Sequence, residues 1–92
     1  MDPAWHEEMT GLVRGVLIQT SDGMTPEEAT VVDDLLDHNE YGLALEFIAD
    51  YLSERESPLS QTVKVQMVAL AARMGLGGRV EGALEFCPVV DG

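Results

Sequence analysis

The chain has 92 residues, of which 46% are hydrophobic, and its 17 acidic and 5 basic residues give a net charge of −12. These values predict one globular domain, residues 1–92, and exclude a disordered chain. So few basic residues argue against direct binding of nucleic acid or of an anionic membrane surface, and no stretch approaches the roughly 20 apolar residues of a membrane span. A basic protein is the partner that this charge favours, because opposite electrostatic fields accelerate association.

The first predicted helix begins with Asp2 as its N-cap and Pro3 in its first turn. Apolar residues then recur at helical spacing until about Thr20, where a Ser-Asp-Gly turn follows. Gly11 and Gly15 weaken this helix, although their small size would let another helix approach closely there.

The second helix has the clearest start, because Thr25 and Glu28 have the spacing of a capping box around Pro26. Its apolar stripe ends at about His38, and Asn39 can take either a left-handed or a capping conformation in the short turn that follows. A third helix follows almost at once. Its apolar stripe consists of Tyr41, Ala44, Leu45, Ile48, Tyr51 and Leu52.

A charged loop broken by Pro58 leads to a fourth helix with Ser60 as its cap. Gly75, followed by Leu76, predicts a Schellman-type ending. The remaining residues, 77–92, predict a brief helical turn and then a tail, and no segment has strand periodicity. The predicted fold is all-α, a small antiparallel bundle of about four helices with short loops.

No set of residues predicts an enzyme, a cofactor or a metal site. Asp34 and His38 are four residues apart on one helix, but no second histidine or cysteine group completes a tetrahedral metal site. His38 is explained as a residue that favours the negative end of a helix dipole. The single cysteine, Cys87, has no neighbouring histidine to activate it and allows no internal disulfide. Together with an acidic N-terminus unlike a signal peptide, it predicts a cytoplasmic protein.

The acidic surface is the remaining functional feature, since residues 27–56 contain ten carboxylates and only one basic residue, Arg55. Leu43 lies opposite the apolar stripe of its helix, among these carboxylates, and Phe47 lies at the edge between the two faces. Apolar residues ringed by charge are typical of a protein-binding patch, although a solvated acidic face, a second contact within the bundle or a homodimer also fits. The predicted partner-binding residues are Asp33, Asp37, Glu40, Leu43, Glu46, Phe47, Asp50 and Glu54.

Residues 33–76 resemble the Maf-type immunity protein (MafI) family of bacterial polymorphic toxin systems. The similarity lies in an "E-x-G-x-A-L-E" motif, a loop with proline and serine, and a helix that closes on Met-Gly-Leu. The matching residues are Glu40, Gly42, Ala44, Leu45, Glu46, Pro58, Ser60, Met74, Gly75 and Leu76. Beyond Leu76, where the family often continues into another helix, this chain has Gly77, Gly78, Gly82 and Pro88.

The resemblance implies a stoichiometric inhibitor that binds a cognate toxin domain and protects the producing cell. The alternative is a small helical adaptor or regulatory domain unrelated to toxins.

Overall fold

A computed structural model describes residues 2–90, which form five α-helices, so the predicted all-α class is confirmed. Four of the helices lie where they were predicted, and the fifth falls in the segment predicted as a brief helical turn. The helices are α1 (Pro3–Thr20), α2 (Pro26–Asp37), α3 (Tyr41–Glu54), α4 (Gln61–Arg73) and α5 (Arg79–Leu84). A 3-10 turn, Ser21–Gly23, links α1 to α2. Among these residues, no helix is both long and apolar enough to cross a membrane.

The C-terminal segment is not a free tail. Two short strands, β1 (Leu59–Ser60) and β2 (Val89–Val90), pair in parallel, with Leu59 opposite Val89. The main-chain nitrogen of Leu59 also donates to the carbonyl oxygen of Pro88 at 2.9 Å. The end of the described chain is therefore hydrogen-bonded to the segment that precedes α4. The sequence predicted only a tail here.

The predicted helix starts are confirmed at three caps. The Asp2 carboxylate accepts a hydrogen bond from the Ala4 main-chain nitrogen at 3.0 Å. Thr25 and Glu28 form the complete capping box, with bonds of 3.1 and 2.9 Å in the two directions. The Ser60 hydroxyl accepts from the main-chain nitrogen of Val63, in the first turn of α4, at 3.2 Å. Each cap satisfies main-chain donors that have no partner within the helix.

Three helices end in Schellman motifs, in which a residue with positive φ reverses the chain. These residues are Asn39 (φ 60°) after α2, Glu56 (φ 48°) after α3 and Gly75 (φ 70°) after α4. The diagnostic main-chain bonds are Glu40 N to Leu35 O (2.9 Å), Ser57 N to Leu52 O (3.0 Å) and Leu76 N to Ala71 O (3.0 Å). The endings at Asn39 and Gly75 agree with the sequence prediction, and Glu56 was not predicted.

The core joins all five helices around α3, which packs against α1, α2, α4 and α5. Gly42 in α3 has a structural reason, because a Cβ there would lie 3.3 Å from Leu76 Cδ2. The largest fully buried side chains are Met9, Leu36, Leu45, Ile48, Leu52, Met67 and Leu84, followed by Val13, Val16, Val32, Val80 and Cys87.

The prediction that Gly11 and Gly15 admit a neighbouring helix is wrong within the described part of the chain. Nothing lies within 4 Å of the position that a Cβ would take at either glycine. The core-facing side of α1 carries Met9, Val13 and Val16. At about 100° of rotation per residue, the two glycines project from the opposite side of the helix.

Candidate protein-binding surface

Helices α2 and α3 form an antiparallel pair, called here the α2–α3 hairpin, joined by the turn at residues 38–40. The guanidinium of Arg55, just after α3, donates to both carboxylate oxygens of Glu28, at 2.6 and 2.9 Å. The start of α2 therefore lies beside the end of α3. The hydrogen bond from Arg55, followed by the bond from the Thr25 main chain, lowers the pKa of Glu28.

Two predicted carboxylates on α2 are paired with an arginine of α1. The Arg14 guanidinium donates to the carboxylate of Asp33, and also to that of Asp37 at 3.2 Å. These carboxylates thus lie along the edge of α2 that faces α1. The pairing of Arg14 with these carboxylates was not predicted from the sequence, because it depends on which helix packs beside α2.

Two predicted carboxylates on α3 are paired with an arginine of α5. Arg79 donates to Asp50 at 2.5 Å, and its other terminal nitrogen lies 3.9 Å from the Glu46 carboxylate. The hydrogen bond to Asp50, then the charges of Asp50 and Glu46, raise the pKa of Arg79. The two arginine-paired sets therefore lie on opposite edges of the hairpin, and the outer surface between them carries other carboxylates.

Glu40 and Glu54 are the two predicted carboxylates that make no ion pair within residues 2–90. Both are exposed. Three more carboxylates of the hairpin and its flank share this property: Glu27, Asp34 and Glu56. Half of the ten carboxylates in residues 27–56 therefore form no ion pair with an arginine of the described chain.

The two predicted apolar residues differ in their surroundings. Leu43 is 38% exposed, as its position opposite the core stripe predicts. Phe47 is half-buried, contacts the core and packs edge-to-face against Tyr51, with ring centroids 5.9 Å apart. Val31 on α2 is also exposed, at 40%, and was not predicted as a site residue. It precedes the buried Val32 by one position, which places it off the core-facing side of α2.

His38 caps the end of α2, and its ring nitrogen Nδ1 lies 2.8 Å from the main-chain oxygen of Asp34. That hydrogen bond, followed by the charge of Asp34, raises the pKa of His38.

Over the described range, no three histidine, cysteine or acidic side chains cluster in a way that could hold a metal ion. His6, which bonds to the Tyr41 hydroxyl at 2.7 Å, borders an open cavity of about 370 Å³ beside Glu7.

Cys87, which the sequence predicts as an ordinary half-buried residue, is buried, and burial raises the pKa of its thiol. The amine of Lys64 donates to the main-chain oxygen of Cys87 at 2.9 Å, so that this lysine ties α4 to the C-terminal segment. A raised thiol pKa leaves little thiolate at neutral pH. Cys87 is therefore a residue of the buried core that follows α5.

Comparison with known proteins finds no family model, no curated protein and no solved structure that matches the chain. The resemblance to the Maf-type immunity family, and with it a toxin as the partner, therefore stays a prediction that rests on residues 33–76. The geometry of the α2–α3 hairpin is the starting point for a functional proposal.

Proposed function

We propose that the protein is an immunity protein that acts in the cytoplasm and neutralises a cognate polymorphic toxin by binding it through the α2–α3 hairpin. The observation that carries the proposal is the surplus of negative charge on this hairpin. Its internal arginines pair with only part of the carboxylates, and the carboxylates without an ion pair lie on both helices of a hairpin that also exposes Leu43.

The proposed binding combines long-range attraction with a short-range apolar contact. Exposed carboxylates accelerate the encounter with a basic toxin surface. Burial of Leu43 on contact then slows dissociation, because apolar residues at the centre of an interface carry much of its binding energy. Arg14 and Arg79 hold the side chains at the two edges of the hairpin in fixed positions, and the rest of the negative charge stays available to the partner.

Co-expression with the toxin gene that the family resemblance predicts beside the gene for this chain tests the proposal directly. A cell that expresses the toxin alone should stop growing, and a cell that also expresses this chain should grow. Absence of rescue by a well-expressed, folded chain would overturn the proposal and leave the helical adaptor as the working hypothesis.

Charge reversal then tests the role of the hairpin. Asp34→Lys and Glu54→Lys should each slow association with the toxin about threefold to tenfold and make it less dependent on salt. Glu81→Lys on α5 is the matched control, because Glu81 is also exposed and makes no ion pair within residues 2–90. Equal rates for all three variants would show that the toxin binds elsewhere. Reversals at Asp33, Asp37, Glu46 and Asp50 are less direct tests, since each also breaks a bond to an arginine.

A further inference from the structure

An apolar strip runs along the outer side of the α2–α3 hairpin. This strip, called here the α2–α3 seam, consists of Val31, Leu35, Leu43 and Phe47. Leu35 and Leu43 each lie four residues from Asn39 at the centre of the turn, and Val31 and Phe47 each lie eight residues from it. Because the helices are antiparallel, the members of each pair come level with one another. Each helix thus carries two of these apolar residues, at matching levels along the hairpin.

The seam is open to solvent, although it rests on the core. Val31 and Leu43 are 40% and 38% exposed. Leu35 and Phe47 are half-buried and pack against the buried cluster beneath them. Both helices of the hairpin therefore carry apolar side chains that are at least partly exposed.

Negative charge borders the seam along α2 and at both of its ends on α3. Glu27 and Asp34 lie one helical turn from Val31, at the spacing that places side chains on the same side of a helix. Glu40 lies three residues before Leu43, and Glu54 lies seven residues after Phe47. All four carboxylates are exposed and make no ion pair within the described chain.

We propose that the seam binds one basic amphipathic helix of the partner, an inference that rests on the proposed function and names the kind of element recognised. An apolar stripe on that helix contacts the seam, and lysine or arginine on both flanks of the stripe meets the bordering carboxylates. At about 1.5 Å per residue, the distance from Glu27 to Asp34 corresponds to two helical turns, which sets the length of the contact. A second copy of this chain is a poor occupant, because it would bring like charges together across the contact.

Titration with synthetic peptides tests the seam on the intact protein. The probe is a peptide of about four helical turns, with leucine on one face and lysine on both flanks. One control peptide replaces each lysine with glutamate, and another has the same composition in scrambled order. Amide chemical shifts should change at the seam with the basic amphipathic peptide alone, in a saturable titration. Equal binding of the scrambled peptide, or no binding of any peptide, would overturn the proposal.

Substitutions locate the contact. Leu43→Ser and Val31→Ser should each weaken binding of the basic peptide about fivefold to tenfold, because each removes apolar area that the complex buries. Val65→Ser on α4 is the matched control, since Val65 is 56% exposed outside the seam. Val65→Ser should change the dissociation constant for the basic peptide by less than about twofold relative to the native chain. If Val65→Ser weakens binding as much as the seam variants do, the peptide does not recognise the seam. All three positions are exposed, so each variant should keep the native amide spectrum.

The same variants separate this proposal from the proposed function. If the chain rescues growth, but Leu43→Ser and Val31→Ser bind the toxin as tightly as the native chain does, the seam proposal is wrong and the immunity function stands. If the basic peptide binds at the seam but the chain fails to rescue growth, the immunity function is wrong and the seam remains a docking site for a basic helix.

Discussion

At the scale of single residues, Glu56 has a backbone conformation that glycine adopts far more readily. It ends α3 at φ 48°, the same role that Gly75 has at φ 70° after α4. Glu56→Gly should raise the free energy of unfolding by about 0.5–1 kcal/mol, because the strain of a left-handed non-glycine residue exceeds the entropy that glycine adds to the unfolded chain. Urea denaturation measures the change.

Gly75→Ala is the matched control for Glu56→Gly. It introduces a Cβ at an equivalent ending, in a position where no atom of residues 2–90 lies within 4 Å. The expected loss of about 1 kcal/mol then reports backbone strain alone. If Glu56→Gly left stability unchanged while Gly75→Ala lowered it, the Glu56 side chain would have to make a compensating interaction in the folded state.

His38 makes stability depend on pH. Its hydrogen bond to the Asp34 main-chain oxygen raises its pKa in the folded state. The folded protein therefore binds the His38 proton more tightly than the unfolded chain does. This stabilisation is fully present below the unfolded histidine pKa of about 6.5 and is lost as pH rises through the folded pKa. The melting temperature of the native chain should exceed that of His38→Gln at about pH 5.5, and the difference should shrink by about pH 8.

An NMR titration of the His38 ring gives the pKa itself, and Glu40→Gln tests its cause. Glu40 is one of the charges that raise this pKa. Glu40→Gln should therefore lower the measured value while the His38 pKa stays above that of a model histidine. If the His38 pKa in the native chain lies at or below that of a histidine in an unfolded chain, the predicted pH dependence is wrong.

At the scale of secondary-structure elements, α1 has two glycines with no evident packing role. Gly11→Ala and Gly15→Ala should each raise the free energy of unfolding by up to about 1 kcal/mol, because alanine favours the helix and meets no atom of the described chain there. Gly23→Ala is the control and should be destabilising, since its Cβ would lie 2.7 Å from Leu52 Cδ2. Thermal unfolding of the three variants measures whether each substitution raises or lowers the stability. A destabilising effect at Gly11 or Gly15 would show that another surface covers this side of α1.

The two arginines at the edges of the hairpin connect stability to partner binding. Arg14→Gln and Arg79→Gln each remove exposed ion pairs, so each should cost less than about 1 kcal/mol of stability. Each also makes the hairpin more negative, so association with the basic toxin should become faster and more dependent on salt. Stopped-flow kinetics measure the rates. Arg73→Gln is the control, because Arg73 pairs with Glu8 and lies over the Trp5 ring, away from the hairpin. Slower association for Arg14→Gln would mean that this arginine contacts the partner directly.

The elements that the sequence predicted are those with local causes. The capping box at Thr25 and the glycine at Gly75 act within a few residues of themselves, so their patterns are readable in the chain. The strand pair was not predictable, because each strand has two residues and its partner lies about 30 residues away. Glu56 was not predicted because glutamate has no preference for the left-handed conformation that this helix ending requires.

The candidate site likewise has features that the sequence predicts and features that depend on tertiary packing. The exposure of Leu43 follows from helical periodicity and agrees with the prediction. The pairing of Asp33 with Arg14 and of Asp50 with Arg79 depends on which helices pack beside the hairpin, and a single sequence does not specify that adjacency. The predicted acidic face therefore has paired edges that only the tertiary structure reveals.

At the scale of the whole molecule, a charge of −12 is held within a radius of gyration of 12.2 Å. Four arginines form close ion pairs, and the other described carboxylates are exposed and make no ion pair within residues 2–90. Added salt screens repulsion over distances near the Debye length of about 10 Å more strongly than it screens pairs in contact. The net effect of moderate salt should therefore be stabilising.

The melting temperature should accordingly rise when sodium chloride is increased from about 10 mM to about 150 mM at neutral pH. Near the isoelectric point, about 4.1, the net repulsion vanishes and the rise should disappear. Scanning calorimetry at the two pH values, each at both salt concentrations, measures the difference. A melting temperature that falls with salt at neutral pH would mean that the arginine pairs outweigh the repulsion. The hairpin would then hold less uncompensated charge than fast association with a basic partner requires.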